Sequence, residues 1–192
     1  MTTQDECRNA LFAAIRAGQA DAAGHILDKN PELISATDST DAFEGQPLHL
    51  AADCGNKDML TLLLDRGADV NARDKCGRQP IHLAARVSSP EAADLLIRKG
   101  AQIDAQDING MRPLHWAAVC GNMKIIAFLA EKGAHLGKIP EKGVSLDTLE
   151  KYPPDIMRFL KKRLDKITDP DERDAVDFLK KLGIQVPAPQ PK

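Results

Sequence analysis

Apolar positions along the chain fall into short helical stripes that recur at one interval. Pro47 opens a run in which Leu48, Ala51 and Ala52 share a face, and proline suits the first turn of a helix. The same run starts again at Pro80 and Pro113. Sliding the chain against itself gives a strong offset of 33, at which His49, His82 and His115 coincide, as do Ala51, Ala84 and Ala117. Leu63, Leu96 and Leu129 also coincide, followed by Gly67, Gly100 and Gly133. Second helices are predicted at about 57–66, 90–99 and 123–132, each ending in Gly-Ala, where glycine takes a left-handed turn. Gly55 and Gly121 close the first helix of their units. Ser88 holds that place in the middle unit, and Pro90 then starts the next helix. The stretch after each Gly-Ala, such as Asp69 to Gly77, is predicted to project as a β-turn finger.

The ends depart from the period, as the ends of a repeat array do. Thr3 to Glu6 forms a capping box for a first helix, with Leu11, Ala14 and Ile15 on its apolar face. A second helix is predicted over 20–28 and stops at Asn30-Pro31. This gives an N-terminal capping repeat at about 4–40, with a long junction near 35–44. Beyond the third full unit, a degenerate repeat at about 140–167 keeps Gly143 and lacks the proline. Ile156, Phe159, Leu160, Leu164 and Ile167 make one apolar stripe there, opposite Arg158, Lys161, Lys162 and Lys166. Asp169, Pro170 and Glu172 open a last helix at 168–183, which Gly183 closes. The Pro-rich tail 184–192 is expected to be disordered.

The segments QPLHLAA, QPIHLAA and RPLHWAA resemble the ankyrin repeat, whose signature is T-P-L-H-x-A and whose period is about 33 residues. The resemblance covers roughly residues 4–160, with three full repeats at about 41–139. It implies an all-α solenoid of helix–turn–helix units with β-turn fingers. A C-terminal helical cap is added to it here. The ankyrin domain is expected over 1–167, the capping helix over 168–183 and the tail over 184–192. One departure stands out. The signature threonine, which in the family caps the first helix, is replaced by Gln46, Gln79 and Arg112.

Composition narrows the function. With aromatics at 4%, the core must be aliphatic and Ala-rich, which suits closely packed helices. A net charge of −2 gives no general grip on nucleic acid. The N-terminus lacks a basic start and a long apolar run, and no apolar stretch reaches membrane-spanning length. Cys7, Cys54, Cys76 and Cys120 form no CxxC pair and are read as free thiols in a reducing compartment.

No catalytic set emerges: the chain has no phosphate loop, no GxSxG and no HExxH. The chain is therefore expected to be no enzyme and to need no cofactor or metal. His49, His82 and His115 sit one per repeat, and helices about 8–10 Å apart hold them too widely for one ion. The stripe at 158–166 is interrupted by Asp165 and is taken as a solvated face.

The resemblance implies that fingers and first helices line a concave, protein-binding face. Carried over by position, the partner-binding candidates are Phe43, Lys75, Arg78, Arg86, Ile108, Asn109, Met111, Trp116 and Val119. Apolar finger tips beside the single tryptophan suggest a hot-spot patch with charged neighbours. The expected function is a scaffold or adaptor for another protein, acting as a monomer without nucleic-acid or membrane partners. The alternative is a regulatory or inhibitory subunit working through the C-terminal helices 153–182. The expected location is cytoplasmic, and an exported effector without a cleavable signal is compatible with it. Asn71 matches a family position where some eukaryotic asparagines are hydroxylated.

Overall fold

The structure is a computed structural model that describes residues 3–134, apart from 39 and 121. The expected degenerate repeat, capping helix and tail lie outside the described residues. Eight α-helices and one short 3-10 helix make up the described part, with no strand among its residues. The first-row helices are α1 (Thr3–Arg16), α3 (Pro47–Asp53), α5 (Pro80–Arg86) and α7 (Pro113–Val119). The second row is α2 (Ala20–Lys29), α4 (Lys57–Asp65), α6 (Pro90–Arg98) and α8 (Met123–Glu131), with the 3-10 turn Pro31–Ser35 after α2. Each helix packs on its partner within the repeat and on its counterpart in the next one.

Side-chain size explains the stacking. Ala51, Ala52, Ala84 and Ala85 are fully buried, so the short first helices approach closely. Leu63, Leu96 and Leu129 are fully buried on the second helices and fill the space between the rows. Burying each such leucine contributes about 1.5–3 kcal/mol. The second helices end as the pattern predicts. Gly67, Gly100 and Gly133 adopt φ of 86°, 95° and 91°. The N–H groups of Ala68, Ala101 and Ala134 then return to the carbonyls of Leu63, Leu96 and Leu129. Ser88 takes φ 58°, close to the 63° of Gly55, so it holds the glycine turn at some steric cost.

The missing threonines are partly replaced by the signature histidines. The Nδ1 atoms of His49, His82 and His115 accept the backbone N–H of Gln46, Gln79 and Arg112, at 3.2, 3.0 and 2.9 Å. The other half of the cap is weak at Gln79, whose buried amide oxygen faces the His82 backbone N–H without completing a hydrogen bond to it. Threonine there would cap the helix through its hydroxyl and remove that orphaned oxygen. Gln79→Thr should therefore stabilise by about 1 kcal/mol and raise the thermal midpoint by a few degrees. A midpoint that holds or drops, followed by circular dichroism, would contradict this account of the cap.

Candidate functional site

Each finger is closed by an aspartate. The N–H groups of Asp38, Asp74 and Asp107 donate to the carbonyls of Gly45, Arg78 and Met111, all at 3.0 Å. Asp74 Oδ1 accepts the N–H groups of Cys76 and Arg78, and Asp107 Oδ1 accepts those of Asn109 and Met111. Asp38 Oδ1 accepts the N–H and hydroxyl of Thr40. All three aspartates are buried, so the second carboxylate oxygen also needs a donor. Every finger finds a different one. Arg16 reaches Asp38 from α1, Arg78 Nε reaches Asp74 at 2.6 Å, and Trp116 Nε1 reaches Asp107 at 3.1 Å. Burial pushes the Asp38 carboxyl up, but Thr40 and Arg16 outweigh it and hold it below the ordinary carboxylate value.

The fingers are tied to one another and to the helices. Lys75 N–H donates to the Phe43 carbonyl at 3.0 Å, and Ile108 N–H to the Cys76 carbonyl at 2.9 Å. Arg78 lies under the Phe43 ring, 4.0 Å from its centre, and 5.6 Å from that of Trp116. With Nδ1 spent as an acceptor, His49 and His82 carry their proton on Nε2. His49 donates it to the Arg78 carbonyl at 3.0 Å, and His82 to those of Ala105 and Met111 at 3.1 and 3.2 Å. His49 and His82 are thus struts that join α3 and α5 to the next finger. Among the described residues, no cluster of histidine, cysteine and carboxylate side chains could hold a metal ion.

Burial pushes the His49 and His82 imidazoles below the ordinary value of 6.5, against their hydrogen bonds. The unfolded chain therefore takes up protons first. Stability from these two rings is complete above about pH 6.5 and is lost as the pH falls from there through the depressed folded values. The thermal midpoint should fall between about pH 7 and pH 5, with a shallower slope in His82→Gln. A flat midpoint across that window would show that the rings do not fold in neutral form.

A cleft of about 330 Å³ opens between finger one and helices α1, α3 and α5. Leu50, Leu83 and Phe43 give its lining an apolar part, and Arg16 and Arg86 line it as well. Arg86 is paired with Asp53, 33 positions earlier. Arg16 belongs to the same row: Leu11-Phe12-Ala13-Ala14 matches Leu48-His49-Leu50-Ala51 at an offset of 37, which sets Arg16 beside Asp53 in register. Period 33 alone does not reveal this, because the first finger carries extra residues. Thr40, Asp41, Leu50, Leu83 and Arg16 were all missed as site candidates for that reason, or because they fill signature positions.

The sequence-based candidates divide. Phe43, Lys75, Arg86, Ile108 and Asn109 are exposed, with Ile108 at 68%. Arg78 and Met111 are buried and do not belong to an accessible contact surface. Arg78 serves Asp74 and the two aromatic rings, and Met111 fills the equivalent interior place one finger later. Trp116 is half-buried on the finger carboxylate. Val119 ends α7, and its side chain is outside the described set. Cys54 and Cys120 are exposed, but burial of the thiol surroundings pushes both pKa values up, which suppresses the reactive thiolate. Asn71 spends its amide on the next repeat, donating to the Gly100 carbonyl and accepting from Gln102 N–H.

The family model for ankyrin repeats (3 copies) matches residues 1–74 and 48–139. The chain belongs to the ankyrin-repeat family. Over 68 residues this ankyrin chain is 46% identical to a probable E3 ubiquitin-protein ligase, XBOS33, of Oryza sativa subsp. japonica. It is 44% and 37% identical over 68 residues to the E3 ubiquitin-protein ligases XBAT33 and XBAT32 of Arabidopsis thaliana. Each match covers 35% of this chain and 13% of the relative. The chain therefore spans only a small part of the length of these relatives. No helix among the described residues is long and apolar enough to cross a membrane.

Proposed function

We propose that the chain is a non-enzymatic interaction module, a scaffold or adaptor, that holds a segment of another protein along its finger and first-helix face. The supporting observation is the cleft lined in part by Leu50, Leu83 and Phe43, set in a face whose fingers are fixed by buried carboxylates and by the His49 and His82 struts. Such a face loses little conformational freedom when a partner docks, which favours binding. Phe43, Ile108, Lys75 and Arg86 are the exposed contacts of this reading. On the same reading the protein is a cytoplasmic monomer.

Affinity capture from the native cell with the full chain tests it. Phe43→Ala, Arg86→Glu and Ile108→Asp together should abolish capture and leave helicity unchanged. Undiminished capture by that variant would remove this face from consideration. The rival reading assigns the work to helices 153–182, outside the described residues. Deleting 168–192 separates the two, since only the rival predicts loss of activity with the repeats still folded.

A further inference from the structure

We infer that the cleft between finger one and α5 takes an extended acidic segment of another protein, with two carboxylates flanking an apolar side chain. This deepens the interaction-module reading and rests on it. By count alone the cleft is not basic, because four aspartates line it against three arginines. Exposure reverses the balance. The Asp74 and Asp38 side chains are 0% and 6% exposed, turned inward to cap finger N–H groups. Arg16 and Arg86 stand outside their partners, at 47% against 6% for Asp38 and 41% against 28% for Asp53. Lys75, at the finger edge of the same face, is likewise more exposed than its partner Glu44. In each of the pairs Arg16–Asp38, Arg86–Asp53 and Lys75–Glu44 a ligand therefore meets the cation before its carboxylate, while Asp41, half-buried, keeps one oxygen on the Phe43 N–H.

Spacing makes the assignment more specific. Arg16, Asp53 and Arg86 occupy one register position on α1, α3 and α5, so the two arginines are two repeats apart. Adjacent helices lie about 8–10 Å apart, and an extended chain advances about 3.3 Å per residue. Two ligand carboxylates about five or six residues apart would each meet one arginine. The residue between them would lie over Leu50 and Leu83, beside the exposed part of Phe43. Asp53 already holds Arg86, so a basic ligand would have to break that pair, whereas an acidic one can share the guanidinium.

The test is selection of a random displayed dodecapeptide library on the full chain, followed by anisotropy titration of the recovered peptides. Recovered sequences should carry two Asp or Glu residues at that spacing around an aliphatic or aromatic residue. Raising salt should weaken them, and Arg16→Gln with Arg86→Gln should weaken them about tenfold at unchanged helicity. Arg16→Lys with Arg86→Lys keeps both charges and should retain most of the binding, which controls for misfolding of the first pair. Lys- or Arg-rich peptides competing for the cleft would overturn the acidic assignment and leave the interaction-module reading standing. Acidic peptides indifferent to the glutamine pair would overturn the location. Failure to hold any peptide, or self-association of the chain relieved by the same pair, would also overturn the proposal. The capture experiment above would still decide the broader reading.

Discussion

Arg78→Ala is expected to destabilise the protein by about 3–5 kcal/mol, measured by denaturant unfolding of the full chain. The side chain is 8% exposed and its partner Asp74 is fully buried, so removing the guanidinium leaves a carboxylate oxygen without a donor inside the protein. Two backbone N–H groups still hold the other oxygen, which limits the loss. The Phe43 and Trp116 rings lose their cation at the same time, adding about 1 kcal/mol. Domains of this size have on the order of 5–15 kcal/mol in total, so one substitution would remove a large share. Because Arg78 touches finger one, its own finger and α7, the loss should spread over three repeats. Arg78→Lys keeps the charge but not the planar fork and stack, and should fall between wild type and alanine. A loss below about 1 kcal/mol for alanine would mean that Asp74 finds water instead, and that finger two is open.

The repeat boundaries were legible because prolines, glycines and leucines recur together, and each marks a backbone event. Pro47, Pro80 and Pro113 begin helices, and Gly67, Gly100 and Gly133 end them. The inside and outside of the fingers were not legible. A finger residue is judged exposed from its own repeat, yet its burial is decided by the neighbours on either side. Arg78 looked like a charged tip and is covered by Phe43 from the preceding finger and approached by Trp116 from the following repeat. Met111 looked like an apolar contact and is interior. Finger one hid its own closing residue. The period points to Asp41, but the hydrogen bonds single out Asp38, because the finger is longer by three residues. That insertion, with one further residue between α1 and Asp38, also hid Arg16, whose kinship with Asp53 needs an offset of 37.

Fingers two and three solve one electrostatic problem in two ways, and this yields a second large effect. Finger two uses Arg78 with Leu83, and finger three, 33 residues later, uses Met111 with Trp116. In both, the second oxygen of a buried aspartate receives one N–H donor, from guanidinium or from indole. Trp116→Leu should cost about 2–4 kcal/mol, combining lost aromatic burial with an orphaned carboxylate oxygen at Asp107. Adding Met111→Arg should then recover about half or more of the loss, because it rebuilds the finger-two arrangement at finger three. Met111→Arg alone should destabilise, since Trp116 already occupies the carboxylate and the new charge has no partner in the interior. The double-mutant cycle, measured by denaturant unfolding, therefore predicts a favourable coupling of more than about 1 kcal/mol between positions 111 and 116. Simple additivity would show that Asp107 does not need the indole N–H, and that Trp116 contributes only its apolar area.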